Sequence, residues 1–127
     1  LHTEKARAVL PASYVRSDVV HNIGAVSFLM AAFMYNKPEY LKFGLDDHVH
    51  VPYRLGLIPG SEEVIRSSVK AGAYGATISG SGPTIIAFSP SDKAHLVGES
   101  MVSTFKHHGI TSSYIVLDFD QSGISAV

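Results

Sequence analysis

Two glycines bracket a serine at Gly80-Ser81-Gly82, and Pro83 follows at once, between the apolar runs Gly75-Ala76-Thr77-Ile78-Ser79 and Thr84-Ile85-Ile86-Ala87-Phe88. Glycine admits positive φ and lets another group approach where a Cβ would stand. Pro83 fixes its own φ and donates no N–H, so the loop has one defined shape. Successive N–H groups of such a loop can face an anion. The same residues also serve a plain strand-turn-strand connection, and the pattern alone leaves both readings open. Ser79 and Ser81 form no Gly-x-Ser-x-Gly elbow and have no base nearby in sequence, which argues against a serine hydrolase.

Arg7 and Arg54 are two of only four arginines, and each lies close to a proline, Pro11 and Pro52 respectively. They are expected in irregular segments rather than on solvated helix faces. A planar guanidinium held by stiff surroundings suits bidentate recognition of a carboxylate or phosphate. The plainer alternative for either is a surface charge or a local ion pair. Thr3 stands four positions before Arg7, so on a helix its hydroxyl shares a face with the guanidinium; it also serves as an ordinary helix cap.

Of the seven histidines, His48-Val49-His50 alternates and can place two rings on one face of an extended segment, while His107 and His108 are adjacent. Zinc sites bring together at least three protein ligands at helix or turn spacing. There is no His-Glu-x-x-His, no cysteine and no evident third ligand, so no metal site is expected. His21, beside Asn22, reads as packed or partly exposed.

The elements that must position these groups alternate. Residues 1–10 form a short approach segment, partly helical at most, closed by Pro11. Ser17 or Asp18 can cap a helix to about Tyr35, stopped by Asn36-Lys37-Pro38. Val19, Ile23, Val26, Met30 and Phe33 recur along it at three- and four-residue steps, and further apolar residues widen the stripe, so most of it is expected to be covered. A shorter helix fits Pro38 to about His48. Ser61 can cap the next helix, with Glu62 and Glu63 in its first turn, Val64, Ile65 and Val69 inward, and Ala71-Gly72 as its end. Strands at Gly75–Ser79 and Thr84–Ser89 flank the loop. A helix from Ser91 or Asp92 to His107 or His108 has Leu96, Val97, Met101, Val102 and Phe105 inward and stops at Gly109. Ser113 to Phe119 reads as a strand and Gly123 to Val127 as a short final one. The order predicts an α+β fold, an antiparallel-rich sheet covered by helices on one face.

At 127 residues, with 46% hydrophobic and 17% charged residues, the chain is one domain able to bury a core. A net charge of −1 gives no electrostatic case for nucleic acid or an anionic membrane. Without cysteine there is neither a disulfide framework nor a thiolate metal site. No apolar run approaches the length of about 20 residues that a membrane span needs. The opening Leu1-His2-Thr3-Glu4-Lys5-Ala6-Arg7 is charged and unlike a signal peptide, and its lack of an initiator Met suggests a fragment or an internal start.

The segments Thr3-x-x-x-Arg7-x-x-Leu10-Pro11, Val20-His21-Asn22, Pro52-Tyr53-Arg54 and Leu57-Ile58-Pro59-Gly60, followed by the run Ala71 to Thr84, resemble the C-terminal half of the homoserine kinase family. That family belongs to the GHMP kinases, and the run through Gly80-Ser81-Gly82 resembles their third signature motif. The resemblance spans residues 1–127 and implies a GHMP kinase C-terminal domain with a ferredoxin-like sandwich. It implies phosphoryl transfer from ATP, with Mg²⁺, to the side-chain hydroxyl of L-homoserine, giving O-phospho-L-homoserine on the route to threonine in the cytoplasm. It places Thr3, Arg7 and Arg54 against the amino acid, and Gly80, Ser81 and Gly82 beside the phosphate-binding loop.

The family's main phosphate loop, of the type Pro-x-x-x-Gly-Leu-Gly-Ser-Ser-Ala, is not among these residues. The chain alone is therefore expected to be inactive and to hold no nucleotide tightly, with an N-terminal kinase domain as its partner. Surface left bare by that partner keeps a homodimer open. His2 stands where the family usually has serine, and Ala25 where many members carry a basic residue. The alternative is a stand-alone small-molecule-binding or assembly domain derived from a GHMP kinase.

Overall fold

The two strands beside the glycine loop pair with each other. In the computed structural model, which describes residues 2–120, 122 and 123, β1 (Gly75–Ile78) and β2 (Ile85–Phe88) are antiparallel. Their register sets Gly75 opposite Phe88 and Ile78 opposite Ile85. The Ser79 N–H donates to the Thr84 carbonyl at 2.8 Å and the Gly82 N–H to the Ser79 carbonyl at 3.0 Å, so the hairpin tightens into the loop. Gly80 and Gly82 take φ of 57° and 80°, which requires residues without a Cβ penalty.

α5 (Ser61–Lys70) lies against both strands, and α6 (Ala94–His107) packs beside α5. Ile58, Val64, Ile78 and Phe105 form the buried centre, with Val51, Leu55, Ile85, Met101 and Ile110 packed around it. Burying such side chains stabilises by about 1.5–3 kcal/mol each. The first turn of α5 differs from expectation. Gly60, at φ 76°, is the N-cap, while Ser61 is buried and donates its hydroxyl to the Leu55 carbonyl instead. Val69 is 47% exposed, so the inner edge of α5 is Val64 with Ser61 and Ser68.

α1 (Thr3–Ala8) is short, with Ala6 fully buried. α2 (Arg16–Met34) follows, and a 3₁₀ turn at Pro38–Tyr40 leads into α3 (Leu41–Gly44), shorter than the helix expected to His48. The crossing of α2 and α3 is close because Gly44 meets the Leu29 backbone: a Cβ on Gly44 would stand 2.7 Å from the Leu29 N and Cα. α4 (Val51–Arg54) and a 3₁₀ turn at Leu55–Leu57 complete the order before α5.

Further expectations are overturned. α2 buries Ala25 and Ala32, whereas Val20, Ile23, Val26 and Met34 are 59–70% exposed, because α2 packs mainly on α3 and the 3₁₀ turn before it rather than along the sheet. By length and composition α2 also passes for a membrane-crossing helix, contrary to the reading that no run approaches that length. Residues 113–119 form no strand. An apolar β-branched composition favours a strand only where ladder partners exist, and Ser113 to Asp118 pair with neither β1 nor β2 among the described residues. Tyr114 packs over Gly98 instead and hydrogen-bonds His95 at 3.1 Å, while Phe119 stacks on Phe88. The short strand expected at Gly123 to Val127 lies, beyond Gly123, outside the described residues.

Gly44→Ala is expected to destabilise the domain by about 1–3 kcal/mol, since the obstructing atoms are backbone rather than a movable side-chain tip. Urea denaturation checks this; an unchanged midpoint contradicts the close crossing.

Candidate functional site

Asp47 organises the turn that enters α4. Its Oδ2 accepts the His50 and Val51 N–H groups, and its Oδ1 accepts the Asn22 side-chain amide. Asn22 in turn accepts the His48 N–H at 2.8 Å, so α2 grips the loop from both sides. Burial pushes the Asp47 carboxyl up, but the hydrogen bonds from Val51, Asn22, His50 and Val49 outweigh it and hold the group below its ordinary value. The negative charge faces the N-terminal N–H groups of α4, where the helix dipole favours it.

The turn so fixed delivers Arg54 at the end of α4. Its Nε donates to the Ala6 carbonyl and its Nη1 to the Gly80 carbonyl, both at 3.1 Å. One guanidinium thereby ties α1, α4 and the glycine loop together. Both acceptors are neutral, and Arg54 has no ion pair among the described residues. Of the five N–H donors of a guanidinium, two are engaged and three remain. Arg54 lines a cavity of about 340 Å³ with Asp47, His50, Thr77 and Gly80. Asp47 is the carboxylate there, and its oxygens are turned to Asn22, His50 and Val51, so the cavity offers no open set of oxygens for a hard divalent cation.

Both arginines lie on short helices, α1 and α4, rather than in irregular segments as expected. Thr3 and Arg7 are four apart on α1 and exposed. The Arg7 guanidinium has no hydrogen-bond or ion-pair partner among the described residues, although its backbone carbonyl accepts the Leu10 N–H. Because Arg54 bonds the carbonyl of Ala6, the residue before Arg7, the two charged segments are adjacent. Gly80 joins the cluster through its carbonyl. The Gly80 and Ser81 N–H groups donate to no protein acceptor among the described residues, and nothing lies within 4 Å of where a Cβ on Gly80 would stand. Asp47 was missed by sequence reasoning, and His50 was weighed only as a metal ligand. The signal was Asn22 in Val20-His21-Asn22, whose partner 25 residues on is Asp47.

A short antiparallel hairpin with a glycine loop, backed by two helices and faced by an arginine without a counter-ion, is the frame of a GHMP kinase C-terminal domain. Residues 36–107 match the family model described as GHMP kinases C terminal, more than half of the chain, and the chain belongs to that family. More particularly, it is similar to homoserine kinases. It is 39% identical to that of Desulfitobacterium hafniense over all 127 of its residues, which cover 43% of the relative. It is 44% identical to that of Carboxydothermus hydrogenoformans over 123 residues, 97% of this chain and 40% of the relative. The crystal structure of homoserine kinase from Cytophaga hutchinsonii superposes with a TM-score of 0.80 at 34% identity, over 84% of this chain and 34% of that one. The chain spans about two fifths of the length of the curated relatives it matches and aligns with their C-terminal part.

A carboxyl held below its ordinary value stabilises the fold above the ordinary range near about 4, and that stabilisation is lost as pH falls through the lower folded value. Asp47→Asn is expected to cost about 1–2 kcal/mol at pH 7, allowing for partial solvent exposure, with the difference from wild type closing as pH falls below about 4. Thermal unfolding from pH 7 to pH 2.5 checks it; a difference independent of pH contradicts the charged role.

Proposed function

We propose that this chain is the amino-acid-binding part of a homoserine kinase acting in the cytoplasm, which transfers the γ-phosphoryl group of ATP to the side-chain hydroxyl of L-homoserine. In that transfer the hydroxyl oxygen bonds the γ-phosphorus, the bond from the β,γ-bridging oxygen breaks, ADP leaves and the hydroxyl proton is released. The observation that carries the reading is Arg54, a guanidinium fixed by two neutral carbonyls at a cavity of about 340 Å³, with its charge uncompensated. The α-carboxylate of an amino acid fits such a group. Arg7 supplies a second exposed guanidinium on the adjoining helix, and Thr3 a hydroxyl on the same face.

Gly80, Ser81 and Gly82 then support the phosphate side of the cleft, through the free N–H groups of Gly80 and Ser81. In this reading ATP and Mg²⁺ are held by the part of the enzyme that the chain does not span, which is why the chain alone is expected to be inactive. The similarity to homoserine kinases over 97–100% of the chain supports the choice of amino acid. What the chain contributes to catalysis is positioning: fixing the substrate's carboxylate orients its hydroxyl toward the phosphoryl group.

Arg54→Ala in the full-length enzyme is expected to raise the KM for homoserine about 10- to 100-fold with the ATP affinity nearly unchanged. Steady-state kinetics with each substrate varied in turn separates the two. Unaltered homoserine kinetics contradict the assignment.

A further inference from the structure

We propose that His21, Asp46 and His48 form a surface site for a divalent transition metal ion of the zinc class. The site is separate from the Arg54 cavity and independent of the kinase reading. One ligand atom from each residue lies within 4.8 Å of the others. His21 Nε2 is 3.1 Å from Asp46 Oδ2, and His48 Nε2 is 3.8 Å from the same oxygen. Metal–ligand bonds of about 2.0–2.2 Å set tetrahedral ligand atoms roughly 3.4 Å apart, so these separations bracket what a bound ion needs. Two imidazoles and one carboxylate suit zinc, cobalt or nickel, whereas magnesium and calcium favour oxygen ligands throughout.

A second observation points the same way. His48 Nδ1 lies 3.3 Å from Asp18 Oδ1, on the side of the ring away from Nε2. A carboxylate on one imidazole nitrogen fixes the tautomer and turns the other nitrogen's lone pair outward, the usual outer shell of a metal-bound histidine. The backbone is prepared as well, since Asn22 accepts the His48 N–H and Asp47 clamps the turn that follows. Asp46 and His48 therefore sit at a fixed place over the first turns of α2, where Asp18 and His21 lie.

The His21 and His48 rings stack with centroids 3.8 Å apart and planes within 15°. Ligation requires them to tilt so that both Nε2 lone pairs converge. Their side chains are 37% and 40% exposed, so part of each ring's border is solvent, which yields to that movement. His21 Nε2 also lies 3.0 Å from the Asp46 carbonyl oxygen, a hydrogen bond that metal binding exchanges for a bond to the ion. The remaining coordination position falls to water. An ion here staples the loop carrying Asp46 and Asp47 to α2, and binding to the folded state alone stabilises that state by mass action.

The alternation His48-Val49-His50 pointed to the wrong pair. His50 turns to Asp47, 3.8 Å away, and the partner of His48 comes from 27 residues earlier in the chain.

Titration of tag-free protein with Co²⁺, read by its visible absorption, and with Zn²⁺, read by calorimetry, tests the site. One equivalent is expected to bind saturably, with the intense visible bands of four-coordinate cobalt, and Zn²⁺ is expected to raise the unfolding temperature until a chelator is added. His21→Ala and His48→Ala are each expected to weaken binding at least tenfold, Asp18→Asn by about tenfold, and His107→Ala not at all. Circular dichroism verifies that the variants remain folded. Absence of saturable binding, or binding undiminished in both His21→Ala and His48→Ala, overturns the proposal.

Discussion

The site depends on how Arg54 is held. A guanidinium satisfied by a carboxylate is a finished structural contact; one satisfied by two backbone carbonyls has its N–H groups aligned and its charge left over. Arg54 is of the second kind, with Nε on Ala6 and Nη1 on Gly80. An unbalanced, half-buried cation is costly in proportion to how much water it loses, and a bound anion relieves that cost. The same two bonds draw three segments far apart in sequence to one place, so the geometry of the cleft and its appetite for an anion have a single cause.

Behind Arg54 stands a set of contacts that fix the turn delivering it. Asp47 caps α4, Asn22 holds Asp47, and the close crossing of α2 with α3 at Gly44 and Leu29 sets the distance between the helix and the loop. α2 keeps a broad exposed apolar surface on its other sides. The buried centre, around Val64, Ile78 and Phe105, borders the cavity through Ile78 and supports the hairpin that presents the glycine loop.

Local patterns were legible where local physics decides. The strand-turn-strand around Gly80-Ser81-Gly82 formed as the apolar runs and positive-φ glycines imply, with ends within one residue of expectation. α2, α5 and α6 formed as helices with stops at Asn36, Gly72 and Gly109, but their inward faces were only partly as expected: Leu96 of α6 is 57% exposed, while Val97 and Phe105 are buried. Segment 113–119 was misread because strand propensity is a statement about neighbours that a single segment does not contain. The burial of α2 was misread for the same reason: its stripe is apolar, but what faces it is a property of the whole fold. Arg7 and Arg54 stood out by type and by nearby prolines, yet the bond of Arg54 to Ala6, 48 residues away, is visible only in three dimensions. Asp47 and the His21–Asp46–His48 group were hidden likewise, since each joins residues about 25 apart.

The central claim is that the free charge of Arg54 exists for a substrate carboxylate. The most direct measurement compares L-homoserine with its α-carboxamide as phosphoryl acceptors in the full-length enzyme, with arginine and then alanine at position 54. Wild type should discriminate strongly in kcat/KM for the carboxylate, and Arg54→Ala should lose most of that discrimination because the amide never used the charge. Equal discrimination in both proteins would contradict the account, since the carboxylate would then be recognised by some other group.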